Sequence, residues 1–187
     1  MKKTRIVALI KESVKVKEGL LSPKNIKAIE KISREVVKTL KQGGKILFCG
    51  NGGSAADSQH LAAEFVGRFK RERRPIPALS LTTNSSILTA ISNDYDFKNV
   101  FSRQVQAMGK KGDLLIGIST SGQAENVILA VKVAKKIGIK TIGLTGKNGG
   151  GLAKLSDLSF IVPSNNTARI QEAHILIGHI LAEIAER

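Results

Sequence analysis

Five short apolar runs constrain the fold of this chain more than any other feature of its sequence. They are KILFC (45–49), ALSL (78–81), DLLIGI (113–118), TIGLT (141–145) and LSFIV (158–162). Gly, Pro, Ser, Asn or Asp bounds each run, and the runs are continuous rather than alternating, as in strands that are covered on both faces. Segments with helical periodicity separate them. The sequence therefore predicts a parallel sheet with helices on both faces, a three-layer α/β fold.

Helices are predicted before and after this alternating region. Two helical stretches, at roughly 3–20 and 23–43, precede the first strand. Ser22 and Pro23 form a cap and first-turn signature for the second stretch, and the Gly43-Gly44 pair should end it. The segment from about residue 166 to the end reads as one long helix.

The chain shows no linker, repeat or low-complexity tract. We therefore predict a single domain over residues 1–187. It would consist of N-terminal helices at 1–43, which form an arm, and an α/β core at 44–187. The arm could pack on another subunit.

The charge of the chain is strongly positive, with 30 Lys and Arg against 15 Asp and Glu, a formal net charge of +15. Such a balance is compatible with nucleic-acid binding. However, the cations are spread along the chain, and six Phe, one Tyr and no Trp provide few rings on which bases could stack. The densest cluster, KRERR (70–74), is interpreted as a solvated helix end. We do not expect a nucleic-acid partner; a basic surface also attracts small anionic substrates.

Features of the N-terminus and the cysteine content favour a cytoplasmic protein. No apolar run approaches the ~20 residues that span a bilayer. The apolar stretch from Ile6 to Ile10 is short and is followed at once by Lys11 and Glu12, unlike a secretory signal. The single cysteine, Cys49, excludes an intrachain disulfide and suits a reducing compartment.

Two strand ends carry residues that suit a phosphate group. In an open parallel sheet, ligands bind beyond the C-terminal ends of the strands. GNGGS (50–54) leads from the first strand into a helix, whose glycines and free N–H groups allow a close anion. STSG (119–122) offers three hydroxyls at the end of another strand. Either loop alone is also compatible with a tight turn, and neither matches a nucleotide-binding motif. Together they predict a phosphorylated substrate.

Acid–base and ligand-type side chains occur on two helices. His60 and Glu64, four residues apart, lie ~40° apart on one helix face. Gln171 and His179, eight apart on the last helix, are separated by ~80°, whereas His174 lies ~140° from His179 and should face elsewhere. These two pairs could form a four-coordinate zinc site. An ordinary surface ion pair and packed histidines are the alternatives, and Gln is an unusual zinc ligand.

Consecutive blocks of the sequence resemble a known family. The blocks are CGNGGSAADSQHLAAEF (49–65), SLTTNSSILTAISNDYDFKNVFSRQV (80–105), GISTSG (117–122), GLTGKNGG (143–150) and TARIQEAHILIGHIL (167–181). In this order and spacing they resemble the phosphoheptose isomerases of the sugar isomerase (SIS) family, from about residue 30 to the end. STSG alone is shared across SIS proteins and indicates only a phosphosugar.

The resemblance implies a fold, an activity and an assembly. The expected fold is a five-stranded, flavodoxin-like parallel sheet. The expected reaction interconverts sedoheptulose 7-phosphate and D-glycero-D-manno-heptose 7-phosphate through an enediol, towards heptose for lipopolysaccharide or surface-layer glycans. The family is a homotetramer with active sites between subunits and one Zn²⁺ per subunit.

The resemblance also implies roles for individual residues. Matched by position, the metal ligands are His60, Glu64, Gln171 and His179, with Glu64 as the base and His179 as the acid–base partner. The matched substrate contacts are Asn51, Gly52, Gly53, Ser54, Glu64, Asn93, Asp94, Ser119, Thr120, Ser121 and Gln171. The chain departs from the family where Gln123 and Ala124 follow STSG, because a hydroxyl usually occurs there.

Three other functions compete with this interpretation. The DnaA initiator-associating protein keeps the fold and acts through protein contacts, but it lacks the second matched histidine, which this chain retains as His179. A sugar-phosphate sensor usually adds a DNA-binding segment, and no helix-turn-helix domain fits in the first 40 residues. The residue types of the binding loops do not exclude an isomerase of another sugar phosphate, because the shape of the cavity selects the sugar.

Overall fold

The computed structural model of the protein describes residues 3–186. Its helices are α1 (Lys3–Gly19), α2 (Pro23–Lys41), α3 (Gly53–Val66), α4 (Ser85–Asp94), α5 (Val100–Met108), α6 (Glu125–Lys136), α7 (Gly150–Leu155) and α8 (Thr167–Ala185). Its strands are β1 (Ile46–Gly50), β2 (Ala78–Ser80), β3 (Leu114–Ser119), β4 (Lys140–Thr145) and β5 (Leu158–Ile161), and a 3₁₀ turn covers Phe97–Asn99.

The strands form one parallel sheet in the order β2-β1-β3-β4-β5. The predicted fold class, a flavodoxin-like parallel sheet of five strands with an N-terminal helical arm, is thus confirmed. Each predicted strand is present, with bounds that shift by at most one residue. Because the order reverses between β1 and β3, the loops that follow these two strands diverge and leave a crevice between them.

The sheet separates two apolar cores. Side chains alternate along a strand, so Ile46 and Phe48 of β1 face one core while Leu47 and Cys49 face the other. Helices α2, α3 and α8 cover the first core, and α5, α6 and α7 cover the second. Both faces are therefore covered, which explains why the strands read as continuous apolar runs.

The structure confirms the residues that were predicted to begin and end α2. The Ser22 hydroxyl accepts a hydrogen bond from the Asn25 N–H at 3.4 Å, and Pro23 occupies the first turn. The helix ends at Lys41, and Gly43 takes a positive φ of 77° just beyond it. Such a conformation suits glycine because it has no Cβ.

Helix α1 lies against the start of α8. The Ser13 hydroxyl donates to Glu172 at 2.5 Å, and Arg169 donates to the Leu9 carbonyl at 3.1 Å. Within residues 3–186 no side chain of α1 is buried, and several of its apolar residues are exposed. None of the helices described is long and apolar enough to cross a membrane.

His174 faces the core under α8, as predicted from its angular distance to His179. Its Nε2 lies 3.0 Å from the Thr145 carbonyl oxygen, which can only accept, so Nε2 carries the proton. Nδ1 is buried without a hydrogen-bond partner among the described residues. Burial lowers the pKa of His174 to about 4, although the bond to Thr145 acts in the opposite direction. The native state therefore holds a neutral imidazole.

We expect His174 to make the protein less stable in mild acid. Its pKa is near 6.5 in the unfolded chain, so between pH 6.5 and 4 only the unfolded state binds the proton. The free energy of unfolding should fall by roughly 3 kcal/mol over that interval. Urea denaturation at fixed protein concentration and stepped pH measures the slope. His174→Gln should be less steep by one proton; an unchanged slope would contradict this account.

Candidate active site

Helices α3 and α8 bring His60, Glu64 and His179 together. The Nε2 atoms of the two histidines are 2.9 Å apart, and His60 Nε2 lies 3.2 Å from Glu64 Oε1. One ligand atom from each residue lies within 4.8 Å of the others. The spacing of four residues on α3 explains the first pair. The approach of His179 depends on how closely the two helices pack.

Glycine allows that close packing at two points. A Cβ at Gly178, beside His179, would lie only 2.3 Å from Leu61 Cδ2, beside His60. A Cβ at Gly53, in the first turn of α3, would lie 1.8 Å from Gln171 Nε2. Neither separation can accommodate a carbon atom. Leu61 is buried and cannot move aside, so the interface between α3 and α8 requires glycine at 178, whereas at Gly53 the end of the Gln171 side chain can turn away.

The three clustered residues fit a metal ion. Two imidazole nitrogens and one carboxylate oxygen are the ligand set of catalytic zinc sites that keep a fourth position open. Ligands 2.0–2.2 Å from zinc in tetrahedral geometry are roughly 3.3–3.5 Å from one another. The observed separations of 2.9 and 3.2 Å approach that spacing. The described residues thus provide a metal-binding arrangement.

Gln171 lies about two turns before His179 on α8. Its amide packs over Gly53 at the start of α3. The eight residues between Gln171 and His179 correspond to about 12 Å of helix. Its predicted roles, as a substrate contact and as a fourth metal ligand, both stay predictions.

The two predicted phosphate loops meet at the switch point between β1 and β3. Gly50 at the end of β1 pairs with Ile118 of β3. The Asn51 and Asn126 amides donate to each other at 2.8 and 2.9 Å, which ties the first loop to the start of α6. The sequence analysis missed Asn126; its only signal is an amide side chain in the first turn of a helix that follows STSG. Asn126 is buried and Asn51 is partly buried, and the pair holds the two loops in one arrangement.

The second loop adopts a turn that keeps its hydroxyls together. Ser119 Oγ accepts from the Gly122 N–H at 3.2 Å, and Ser121 Oγ accepts from the Gln123 N–H at 3.1 Å. Each hydroxyl retains a rotatable O–H. Gly122 has a φ of 68°, and a Cβ there would lie 2.1 Å from the Gly149 carbonyl oxygen. The GLTGKNGG segment therefore packs directly against STSG.

The other predicted substrate contacts lie in different surroundings. Ser54 is buried in the first turn of α3 beneath the first loop, while Gly52 and Gly53 are exposed. Asn93 and Asp94 are exposed at the end of α4, where the Asn93 amide donates to Asp94 at 2.9 Å. Contact of these residues with a substrate stays a prediction.

Comparison with known proteins identifies the family. The SIS domain profile matches residues 12–146. The phosphoheptose isomerase of Clostridium acetobutylicum is 55% identical over 99% of this chain and 95% of its own length. That of Aliarcobacter butzleri is 60% identical over 84% of each chain. This chain belongs to the phosphoheptose isomerase family.

Solved structures of phosphoheptose isomerases have the same fold. The protein from Neisseria gonorrhoeae has a TM-score of 0.92 and 43% identity, with 98% of each chain covered. The protein from Francisella tularensis has a TM-score of 0.93 and 38% identity, covering 99% of this chain and 98% of that one. These relatives match over nearly the full length of both chains. The protein is therefore an isomerase, which confirms the prediction of an enzyme rather than a non-catalytic protein.

Asp57, which the sequence analysis did not single out, lies beside the candidate site. It lies one turn before His60 on α3 and lines a cavity of about 390 Å³ with Gly53 and Gln171. Its Oδ2 is buried and has no hydrogen-bond partner within residues 3–186. Burial raises the pKa of Asp57 to about 6, against the opposing charge of His60. An aspartate in the sequence carries no signal of such burial.

We expect Gly178→Ala to lower the stability of the protein. The added methyl group would meet Leu61 at 2.3 Å and push α8 away from α3. Overpacking of this kind costs about 1–3 kcal/mol of unfolding free energy. Gly19→Ala is the matched control, because its Cβ would meet only Pro163 at 3.5 Å, an ordinary contact. Urea denaturation of both variants measures the effect, and equal stabilities would show that the helices do not need this glycine.

Proposed function

We propose that this chain converts sedoheptulose 7-phosphate to D-glycero-D-manno-heptose 7-phosphate. The observation that carries the proposal is the convergence of the Glu64 carboxylate and the His179 imidazole at His60. This cluster shares helix α3 with the GNGGS loop, whose glycines begin that helix. The full-length relatives, named phosphoheptose isomerases, support the choice of sugar.

The reaction requires proton movement at two carbons and two oxygens. Glu64 takes a proton from C1 of the open-chain ketose, and the C–H electron pair becomes the C1–C2 double bond of an enediol. The same carboxyl group returns a proton to C2. His179 carries the proton from O1 to O2, which leaves an aldehyde at C1. Atoms balance, because the product is an isomer of the substrate.

The surroundings of Glu64 suit this role. One oxygen of its carboxylate faces His60, at 3.2 Å, which leaves the second oxygen for the substrate proton. The side chain is 22% exposed, so it is partly shielded from water and still accessible. His179 contacts His60 on one side and the Phe69 ring on the other, with ring centroids 5.2 and 5.3 Å away. These contacts restrict the rotation of the imidazole.

His60, Glu64 and His179 would hold one Zn²⁺ per subunit, and we propose Gln171 as a further ligand or as a substrate contact. When bound, the ion would stabilise negative charge on the substrate oxygens. Asn51, Gly52, Gly53, Ser54, Ser119, Thr120 and Ser121 would contact the sugar phosphate at the switch point, with Asn93 and Asp94 as further contacts. Because Ala124 supplies no hydroxyl, backbone N–H groups of the loop would replace that donor.

We also propose a cytoplasmic homotetramer that supplies heptose for surface glycans. Two apolar surfaces support the assembly. One is the exposed row on α1, and the other is a groove of about 780 Å³ between α2 and α8. Contributing residues include Ile6, Leu9 and Ile10 of the row and Ile26, Val37, Ile180 and Ile184 of the groove. Burial of such surfaces favours association.

Glu64→Gln should lose at least a hundredfold in kcat, because the amide cannot accept the carbon-bound proton. The variant has nearly the same shape, so binding of sedoheptulose 7-phosphate, measured by calorimetry, should remain. Aldose formation followed by NMR gives the rate. Glu72→Gln, which changes an exposed carboxylate in the loop after α3, is the control and should match the wild type.

The outcomes of this experiment separate the candidate functions. More than a tenth of wild-type activity in Glu64→Gln would refute the assignment of the base. A wild type that binds the sugar phosphate without turnover would indicate a different sugar. A wild type with neither binding nor turnover would refute the proposed substrate.

The proposed metal site predicts a selective loss of zinc. Wild-type protein should hold one zinc per subunit by elemental analysis. His60→Ala and His179→Ala should each weaken zinc binding by more than the 10- to 100-fold that supporting residues contribute. His174→Gln should keep the metal, because this histidine faces Thr145 in the core. Equal zinc retention in all three variants would place the ion elsewhere.

A further inference from the structure

A largely shielded ion pair lies beyond the cluster of His60, Glu64 and His179 and joins the two helices that carry it. Arg73 Nε donates to Glu186 Oε1 at 3.1 Å. The side chains are 12% and 1% exposed, in contrast to most ion pairs of the protein. Arg73 lies in the loop after α3, and Glu186 follows the last residue of α8. We call this pair the Arg73–Glu186 clamp.

The guanidinium of the clamp closes the end of α3. Its Nη2 donates to the Glu64 carbonyl at 2.9 Å, and its Nη1 donates to the carbonyls of Phe65 and Gly67 at 2.9 and 3.2 Å. Carbonyls in the last turn of a helix have no partners within the helix. A cation there also complements the helix dipole. Arg73 therefore fixes the turn of backbone that bears Glu64.

The carboxylate of the clamp fixes the loop that touches His179. Glu186 accepts from the backbone N–H groups of Phe69, Lys70 and Arg71 at 2.7, 2.9 and 3.1 Å. Burial raises the pKa of Glu186, but these three N–H groups and Arg73 lower it further, to about 2. Glu186 is thus ionised at neutral pH. The Phe69 ring that it orients lies 5.3 Å from the His179 ring, at an angle of 34°.

We infer that the Arg73–Glu186 clamp is a positioning element for the isomerase reaction. One half holds the backbone of Glu64, and the other half holds the aromatic ring against which His179 rests. Neither residue contacts the reacting atoms. This inference rests on the proposed roles of Glu64 and His179 and adds two residues to the site. In proton transfer, a displacement of about 1 Å can cost about a hundredfold in rate.

The test compares two clamp variants with two controls, all as full-length protein loaded with zinc. Arg73→Met removes the donors, and Glu186→Gln removes the charge while keeping the shape. Glu72→Gln removes the charge of an exposed carboxylate from the same loop. Arg74→Met removes an exposed cation from the same loop. Glu72→Gln matches the change of charge in Glu186→Gln, and Arg74→Met matches that in Arg73→Met.

We expect kcat for sedoheptulose 7-phosphate to fall about 10- to 100-fold in both clamp variants. KM should stay within about threefold, because the phosphate loops are untouched, and both controls should stay within about twofold of the wild type. Thermal melting gives the midpoint of each variant, and assays well below that midpoint ensure that a lower kcat does not reflect unfolded protein. Glu186→Gln is nearly isosteric, so the test stands even if Arg73→Met does not fold. Unchanged kcat in folded clamp variants would overturn the inference.

A second measurement is independent of turnover. The chain has three histidines, so NMR can follow the ring carbon and proton signals of His179 directly. The clamp variants should shift the His179 signals and leave those of His174, which lies in the core, in place. The controls should shift neither. An unmoved His179 would overturn the inference, whereas absence of turnover in the wild type would overturn only the proposed reaction.

Discussion

The close packing of α3 against α8 is the interaction on which the site depends. Both helices bury an apolar face on the same side of the sheet, and glycines at Gly53 and Gly178 allow them to approach along about two turns. Because Gly178 has no side chain, Leu61 of α3 packs directly on α8 there, and the neighbouring His60 and His179 come within 2.9 Å. The Arg73–Glu186 clamp then closes the C-terminal end of the same interface. The packing of α3 against α8 therefore sets the positions of the candidate acid and base.

The reversal of strand order supplies the other end of the site. Loops after β1 and β3 diverge there, and the reciprocal amide bonds between Asn51 and Asn126 hold them in register. The first loop leads directly into α3, so the glycines suited to a phosphate and the His60–Glu64 pair lie on one rigid element. Seven residues of helix, about 10 Å, separate Gly53 from His60. A substrate with a phosphate at one end and a reacting carbon at the other suits that arrangement.

Local signals in the sequence predicted most of the fold and part of the site. Strand runs, the cap at Ser22 and the helical spacing of His60 and Glu64 depend on neighbouring residues, and the structure confirms them. Contacts between distant segments carried no such signal. KRERR was interpreted as a solvated helix end, which was wrong for Arg73, because its partner Glu186 lies 113 residues away. The burial of the Asp57 Oδ2 atom was missed for the same reason. The domain limits stay a prediction.

The central claim is that Glu64, held by this helix pair, moves the carbon-bound proton. The most direct test is exchange of the C1 hydrogen of sedoheptulose 7-phosphate with D₂O, followed by NMR for the wild type and for Glu64→Gln at saturating substrate. The account predicts that the wild type introduces solvent deuterium during turnover and that Glu64→Gln introduces none while still binding the sugar phosphate. Exchange at a comparable rate in the variant would contradict it.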